Sequence, residues 1–424
     1  MGGYKSIVFS FLFIICQSTF SQFHNEKFSL EGYNKPRSYY FLKQIDGLYD
    51  FQNEWKTAVD FDWKITPELS LISNTIINLN TSEESRRFIN VRDAFLRFGR
   101  GNIDLRVGRQ MIDWSSLSGW SPSDMPNTSY YYDFIDTEDE EIGRWSFKGS
   151  YYIGSTVFNL TVMPFFRPSE LYFVKNRWIS VPDALVINNA QVPAIFQGTK
   201  KTVVSDEFQF GASVDIPIGP AQLKLFYYHG LNDIPVTRVN PQALTANNEI
   251  AYEIERIYHR LQQFSIHNTV ISGQWNLWSE FNYTRTRIAD EENAIRPHEF
   301  YNITAGFDRM FDMSNESSLY VLIQYVYAFN NEGVTYSSSD LDHIFNNALI
   351  GKFDFTINYN LDLNLRFASE FKTSGYYFNP ELIYRLSPSF RLMLRSDILW
   401  GSSSSFFGNY RDNTRLGLTV QHYF

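Results

Sequence analysis

Residues 105–134 read LRVGRQMIDWSSLSGWSPSDMPNTSYYYDF, a run that brings guanidinium, amide, indole and carboxylate groups together. Arg106 and Arg109 can each grip a carboxylate or phosphate through two parallel N–H bonds. Gln110 both donates and accepts. Trp114 and Trp120 offer flat faces to sugars or aromatic solutes, and Asp124 accepts from hydroxyls or amines. This is binding chemistry rather than bond-breaking chemistry. A second reading stays open, in which Arg109 pairs with a carboxylate of the fold and the two tryptophans cap a rim.

No competing chemistry is written elsewhere. There is no HExxH, no Walker-type phosphate loop and no GxSxG elbow. His229, His259, His267, His298, His343 and His422 lie on separate segments with no nucleophile motif beside them, so a lipase-like Ser/His pair has no support. Cys16 is the only cysteine, which excludes disulfides and cysteine-based metal sites from the mature chain. A net charge of −9 disfavours nucleic acid as a partner. The sequence therefore predicts no enzyme, no cofactor and no metal.

The elements that position these residues begin after an export signal. Lys5, the apolar stretch 6–16 and the small residues Thr19 and Ser21 predict a signal peptide over 1–21, cleaved before Gln22. The remainder, 22–424, reads as one domain in which apolar and polar residues alternate. WKTAVDFDWKI sets Trp55, Val59, Phe61, Trp63 and Ile65 against Lys56, Asp60, Asp62 and Lys64. LYVLIQYVYAF and FRLMLRSDI repeat the pattern. Runs of about ten residues with a charged second face suit a closed all-β antiparallel up-and-down transmembrane barrel, lipid outside and water inside.

Eight short turns and nine long segments predict about 18 strands, with 16 as the alternative, if 27–33 is the first strand. The short turns are assigned to the periplasm. The long segments, including 34–50, 113–143, 166–206 and 230–262, are assigned to the cell exterior. Those at 113–143 and 166–206 are expected to fold inward or cap the barrel. The run DTEDEE (136–141) is expected to be a solvated outer loop, with a divalent-cation bridge to lipopolysaccharide as a lesser reading. The chain ends RLGLTVQHYF, alternating to its last residue, because a barrel's final strand must pair with its first.

At 108–127 the sequence resembles porin-like outer-membrane families of Gram-negative bacteria. These carry a strand ending Gly-Arg-Gln, here Gly108, Arg109 and Gln110, followed by Trp114 and by Asp124, Pro126 and Asn127. Pro164, Phe165 and Pro168 resemble the end of the families' next long strand, and Ser115 stands where they have Gly. Alginate-export channels share the Gly-Arg-Gln strand end. The resemblance implies a passive or substrate-selective pore with a constriction. It also implies that the C-terminal Phe424 addresses the outer-membrane insertion machinery.

By parity the inner face carries Arg106, Arg144, Lys148, Arg366, Arg385, Arg391, Arg395 and Arg415, opposed by Asp104, Glu280, Asp362, Glu370, Glu381 and Asp397. Either the last-strand arginines form a ladder attracting anions, or Glu381, Asp397 and Glu370 neutralise them. The function expected is a channel for small polar or anionic solutes, saccharides among them. The alternative is a non-transporting barrel of a surface-polysaccharide or secretion apparatus. Lipid, lipopolysaccharide and a small polar solute are the expected partners, and a homo-oligomer is compatible with the class.

Overall fold

A computed structural model describes residues 23–424 except 84–85, 116, 125–126, 137–138, 175, 180, 188, 289–295, 314–315 and 336–340. The signal segment and Pro126 lie outside the described residues. Alternating residues form eighteen long strands. The first seven are β1 (Phe28–Phe41), β2 (Phe51–Lys64), β3 (Leu69–Asn80), β4 (Phe88–Arg100), β5 (Ile103–Gln110), β6 (Arg144–Ile153) and β7 (Thr156–Met163). The next six are β8 (Gln209–Ile218), β9 (Ala221–Leu231), β10 (Arg260–Ser272), β11 (Trp275–Thr286), β12 (Glu299–Asp312) and β13 (Ser318–Phe329). The last five are β14 (Ala348–Asn358), β15 (Leu361–Glu370), β16 (Gly375–Ser387), β17 (Phe390–Gly401) and β18 (Arg415–Tyr423).

Each strand pairs antiparallel with the next, and β18 returns to β1 in a register running from Tyr33↔Tyr423 to Phe41↔Arg415. The sheet is a closed cylinder, so no edge is left unpaired. Gly32 and Phe424 exchange backbone hydrogen bonds of 2.9 and 3.0 Å, which carries the closure to the final residue. A Cβ on Gly32 would collide with the Ala58 carbonyl and the Phe424 ring, so glycine is required there by contact.

The outer face is the apolar one. Trp145, Phe147, Tyr151, Ile266, Leu394 and Leu418 point away from the lumen and are exposed. An apolar belt of this extent belongs in hydrocarbon rather than water. Among the described residues no helix is long and apolar enough to cross a membrane.

Two sequence expectations need correction. The segment 34–50 is not all loop, because β1 continues to Phe41, with Lys35, Arg37, Tyr39 and Phe41 facing inward. Pro36 is accommodated because it sits beside the closing seam. Lacking an N–H, it leaves a gap in the ladder, which steps from Asn34↔His422 to Arg37↔Thr419. The segments 166–206 and 230–262 are not simple loops either. They carry a four-stranded sheet built from Ala184–Ile187, Ala190–Val203, Ile250–Tyr258 and Val236–Leu244. Ala190–Val203 and Ile250–Tyr258 run parallel, a pairing only two separate long connections can supply.

The lumen differs between its two ends. Toward the short turns, inward charges remain accessible, with the Arg97 side chain 45% and Lys352 37% exposed. Toward the long loops, the inward residues Gln52, Glu54, Lys56, Asn78 and Arg415 are buried. Segments folded into the barrel cover them, including an apolar cluster of Phe134, Trp178, Leu399, Phe406, Phe407 and Tyr410.

Candidate functional site: a throat inside the barrel

The connection from β5 to β6, residues 111–143, follows the inner wall around the barrel. Strand β5 ends beside β6, with Gln110 opposite Arg144, so both ends of the connection leave from one place. Arg109 closes this neck. Its Nε donates to the Gly143 carbonyl at 3.0 Å and its Nη2 to Asn90 Oδ1 at 3.2 Å. Gln110 Nε2 donates to the Ser146 carbonyl at 3.3 Å. Gly108 has φ 139°, which twists the strand end, and a side chain there would strike the Ala94 carbonyl and Phe95. The partners of Arg109 are thus a backbone carbonyl and an amide, where the pairing reading had a carboxylate.

Beyond the neck, Trp114 is buried with Ile112, Met163, Phe226, Tyr228 and Leu261 and anchors the loop by packing. The next contacts are polar. Ser121 Oγ donates to Glu280 Oε2 at 2.6 Å, and Ser123 Oγ lies 2.6 Å from Glu280 Oε1 and 2.7 Å from His267 Nε2. Ser123, His267 and Glu280 do not make a nucleophilic triad, because the carboxylate meets the serine and the same imidazole nitrogen, and all are buried. They pin the loop. Gln324 of β13 clamps the Trp120 peptide from both sides, accepting from its N–H at 2.9 Å and donating to its carbonyl at 2.5 Å.

The return limb is held by charge. Lys56, Glu140, Arg86, Glu54, Arg37, Asp136, Arg395, Asp397, Arg415 and Asp133 form an unbroken alternating chain of ion pairs. Its distances include 2.5 Å for Arg37–Asp136 and 2.6 Å for Arg415–Asp397. A lone buried ion costs several kcal/mol, so such a row persists only because each charge has opposite neighbours. Burial opposes the Asp136 charge, but Arg37, Arg395, Lys56 and Arg415 outweigh it and hold its carboxyl well below the usual carboxylate range.

This corrects the expectation for 136–141. Asp136 and Glu140 are buried against the lumen cations and are not solvated, while 137–138 lie outside the described residues. Nor do they offer an outer acidic patch to a divalent cation. Arg395 and Arg415 are neutralised, but of the three acids expected for this only Asp397 serves them, joined by the loop acids Asp133 and Asp136. Glu370 and Glu381 bond Thr373 and Asn364 instead. Arg385 pairs with Asp362.

The remaining basic residues are distributed along the wall. Arg144 is buried, its Nη1 3.5 Å from Gln209 Oε1. Arg97, Arg106 and Lys148 stand side by side on β4, β5 and β6, with Asp104 bridging Arg97 at 2.6 Å and Arg106 at 3.1 Å. Arg366 faces Lys352 across a strand pair and is exposed, and Arg391 lies 4.8 Å from the Tyr423 ring centroid. These groups are not assembled with Trp120 and Asp124 into one site.

What the loop does help to line is a cavity of about 490 Å³. Its lining includes the charged Asp113, Asp124, Glu141 and Arg92 and the aromatic Trp120, Phe345, Phe407 and Tyr377. Their rings run in sequence, at 5.5 Å for Trp120–Phe345, 6.2 Å for Phe345–Phe407 and 5.6 Å for Tyr377–Phe407. Asp124 accepts from the Ser115 N–H at 3.1 Å, which turns its carboxylate into place. Trp120 and Asp124 were singled out in the sequence, and both line this cavity. Glu141 was seen only as part of the acidic run, and Asp113 and Arg92 were not singled out, although Asp113 directly precedes Trp114. Phe345, Tyr377 and Phe407 come from distant segments that no spacing connects.

No protein-family model matches the sequence, and no curated protein does. Solved structures do match. Pseudomonas aeruginosa OccK2 (OpdF) is similar over 94% of this chain and 97% of its own, with 13% identity and a TM-score of 0.50. The same protein in complex with glucuronate matches over the same shares, with 12% identity and a TM-score of 0.50. Salmonella typhi OmpF in complex with daunomycin matches over 95% of this chain and 100% of its own, with 11% identity and a TM-score of 0.45. At such identities the likeness is one of fold, and the chain has the closed 18-strand barrel fold of the outer-membrane porins.

Proposed function

We propose that the protein is an outer-membrane channel through which small polar solutes, saccharides among them, diffuse past a throat formed by the loop 111–143. The observation that carries this reading is the cavity that this loop lines with charged and aromatic groups, inside a barrel whose short-turn half keeps its inward charges accessible. Narrowing a wide lumen with an inward loop whose groups are fixed to the wall is a direct way to make a pore selective. The resemblance around Gly108, Arg109 and Gln110 supports the same reading. In this reading the segment 1–21 is removed on export, the long loops face outward, and Phe424 addresses the insertion machinery.

Single-channel recording in planar bilayers tests the proposal. The expected result is a stable conductance that rises when part of 113–143 is deleted. A protein that inserts but passes no current at any voltage sinks it. The surface-polysaccharide or secretion-assembly reading then takes its place.

A further inference from the structure

The chemistry of the throat's lining goes further than the channel reading on which it rests. Arg92 is already engaged, 3.4 Å from Glu141 and 3.8 Å from Asp139. Asp113 and Asp124 line the same cavity and form no ion pair among the described residues, with Lys148 and Lys224 close enough to be felt but not bonded to them. The cavity is also lined by the aromatic row from Trp120 to Tyr377, in which Trp120 and Phe345 meet edge to face and Tyr377 and Phe407 stack. A cation gains from the carboxylates by charge–charge attraction and from an open ring face through its quadrupole. An anion is opposed by the carboxylates.

The arginines that would have drawn anions to this level are absorbed into the buried ion-pair chain. The accessible basic residues Arg97, Arg106 and Lys352 belong to the short-turn half instead. The cavity is also of a size that takes a small organic ring rather than a bare ion.

We infer that the throat is a binding site for monocations that carry a ring, with the ammonium at Asp113 and Asp124 and the ring against Trp120, Phe345 and Phe407. A channel built this way prefers cations, since the basic residues of its short-turn half are matched by Asp104, Asp354 and Asp362.

Three compounds of nearly one shape test it: benzylammonium, benzyl alcohol and benzoate. Benzylammonium is expected to block the single-channel current at concentrations about tenfold lower than either of the others. Reversal potentials in a potassium chloride gradient are expected to show cation preference. Asp113→Asn with Asp124→Asn should erase both effects, and Trp120→Ala should weaken the block while leaving the reversal potential cation-selective. Glu141→Gln, whose carboxylate already serves Arg92, is expected to change the block much less than the double variant.

Titration calorimetry on the detergent-solubilised protein reads binding without conduction. A protein that binds benzylammonium but passes no current would refute the channel reading and leave the site standing. A conducting protein that favours benzoate, or whose double variant keeps its cation preference while still showing the boiling-sensitive folded gel band, would overturn the inference.

Discussion

Arg415 of β18 and Asp133 of the inward loop meet at 2.5 Å, Nη1 to Oδ2, with both side chains fully buried. This contact ties a wall strand to a segment 282 residues away in sequence, and Arg415 Nε carries the link on to Asp397 at 2.6 Å. Replacing Arg415 by Met strands the Asp133 carboxylate in a dry site and leaves Asp397 with Arg395 as its remaining cation, which costs about 3–5 kcal/mol. The expected outcome is a lower temperature for loss of the fast-migrating unboiled gel band, together with flickering single-channel currents. An unchanged melting temperature would mean that the loop is held by packing alone.

Arg109 separates two roles that its sequence position alone cannot. As a neck clamp it contributes about 1–3 kcal/mol through its bonds to Gly143 and Asn90. Arg109→Ala is therefore expected to raise current noise and leave the reversal potential where it was. A strong shift of the reversal potential would instead place this guanidinium in the ion path.

Acidification should weaken cation preference. Burial pushes the Asp124 carboxyl up to about 6, neighbouring Asp113 adds to it, and the Ser115 N–H opposes it. The throat therefore loses charge as pH falls through that value. Permeability ratios measured at about pH 7.5 and about pH 5 should differ severalfold in the wild type and little in Asp124→Asn. The sign for stability is the reverse. An acid with a raised folded pKa binds its proton more tightly when folded, so its stabilising contribution grows as pH falls from about 6 toward 3.8 and is lost as pH rises through 6.

Gly32→Leu tests the closing seam. The added side chain would collide with the Ala58 carbonyl and the Phe424 ring, and overpacking of this kind costs about 1–3 kcal/mol or more. Expected is a protein that reaches the membrane but gives little of the boiling-sensitive form. Normal yields of that form would show that the last residue is dispensable for closure.

The strands were readable because lipid and water enforce a period of two, and Trp55, Trp63, Leu392 and Leu394 obey it in sequence as in space. The first strand's full length was not, since Asn34–Lys35–Pro36–Arg37 carries turn-like chemistry that the closing seam happens to tolerate. Trp120 and Asp124 were visible because they share a loop with Arg109 and Trp114. The aromatic lining was not, since Phe345 and Phe407 reach Tyr377 of β16 only when two other connections fold inward. Asp136 and Glu140 were misjudged for a related reason. An acidic run looks solvated until the cations waiting for it, Arg37, Arg86 and Arg395, are known to line the space it enters.

The reciprocal bonds between Gly32 and Phe424 have a temporal meaning. Because the seam joins β1 to β18, the ring cannot be sealed until every strand between them has been supplied. Until that moment the apolar outer faces need some other cover.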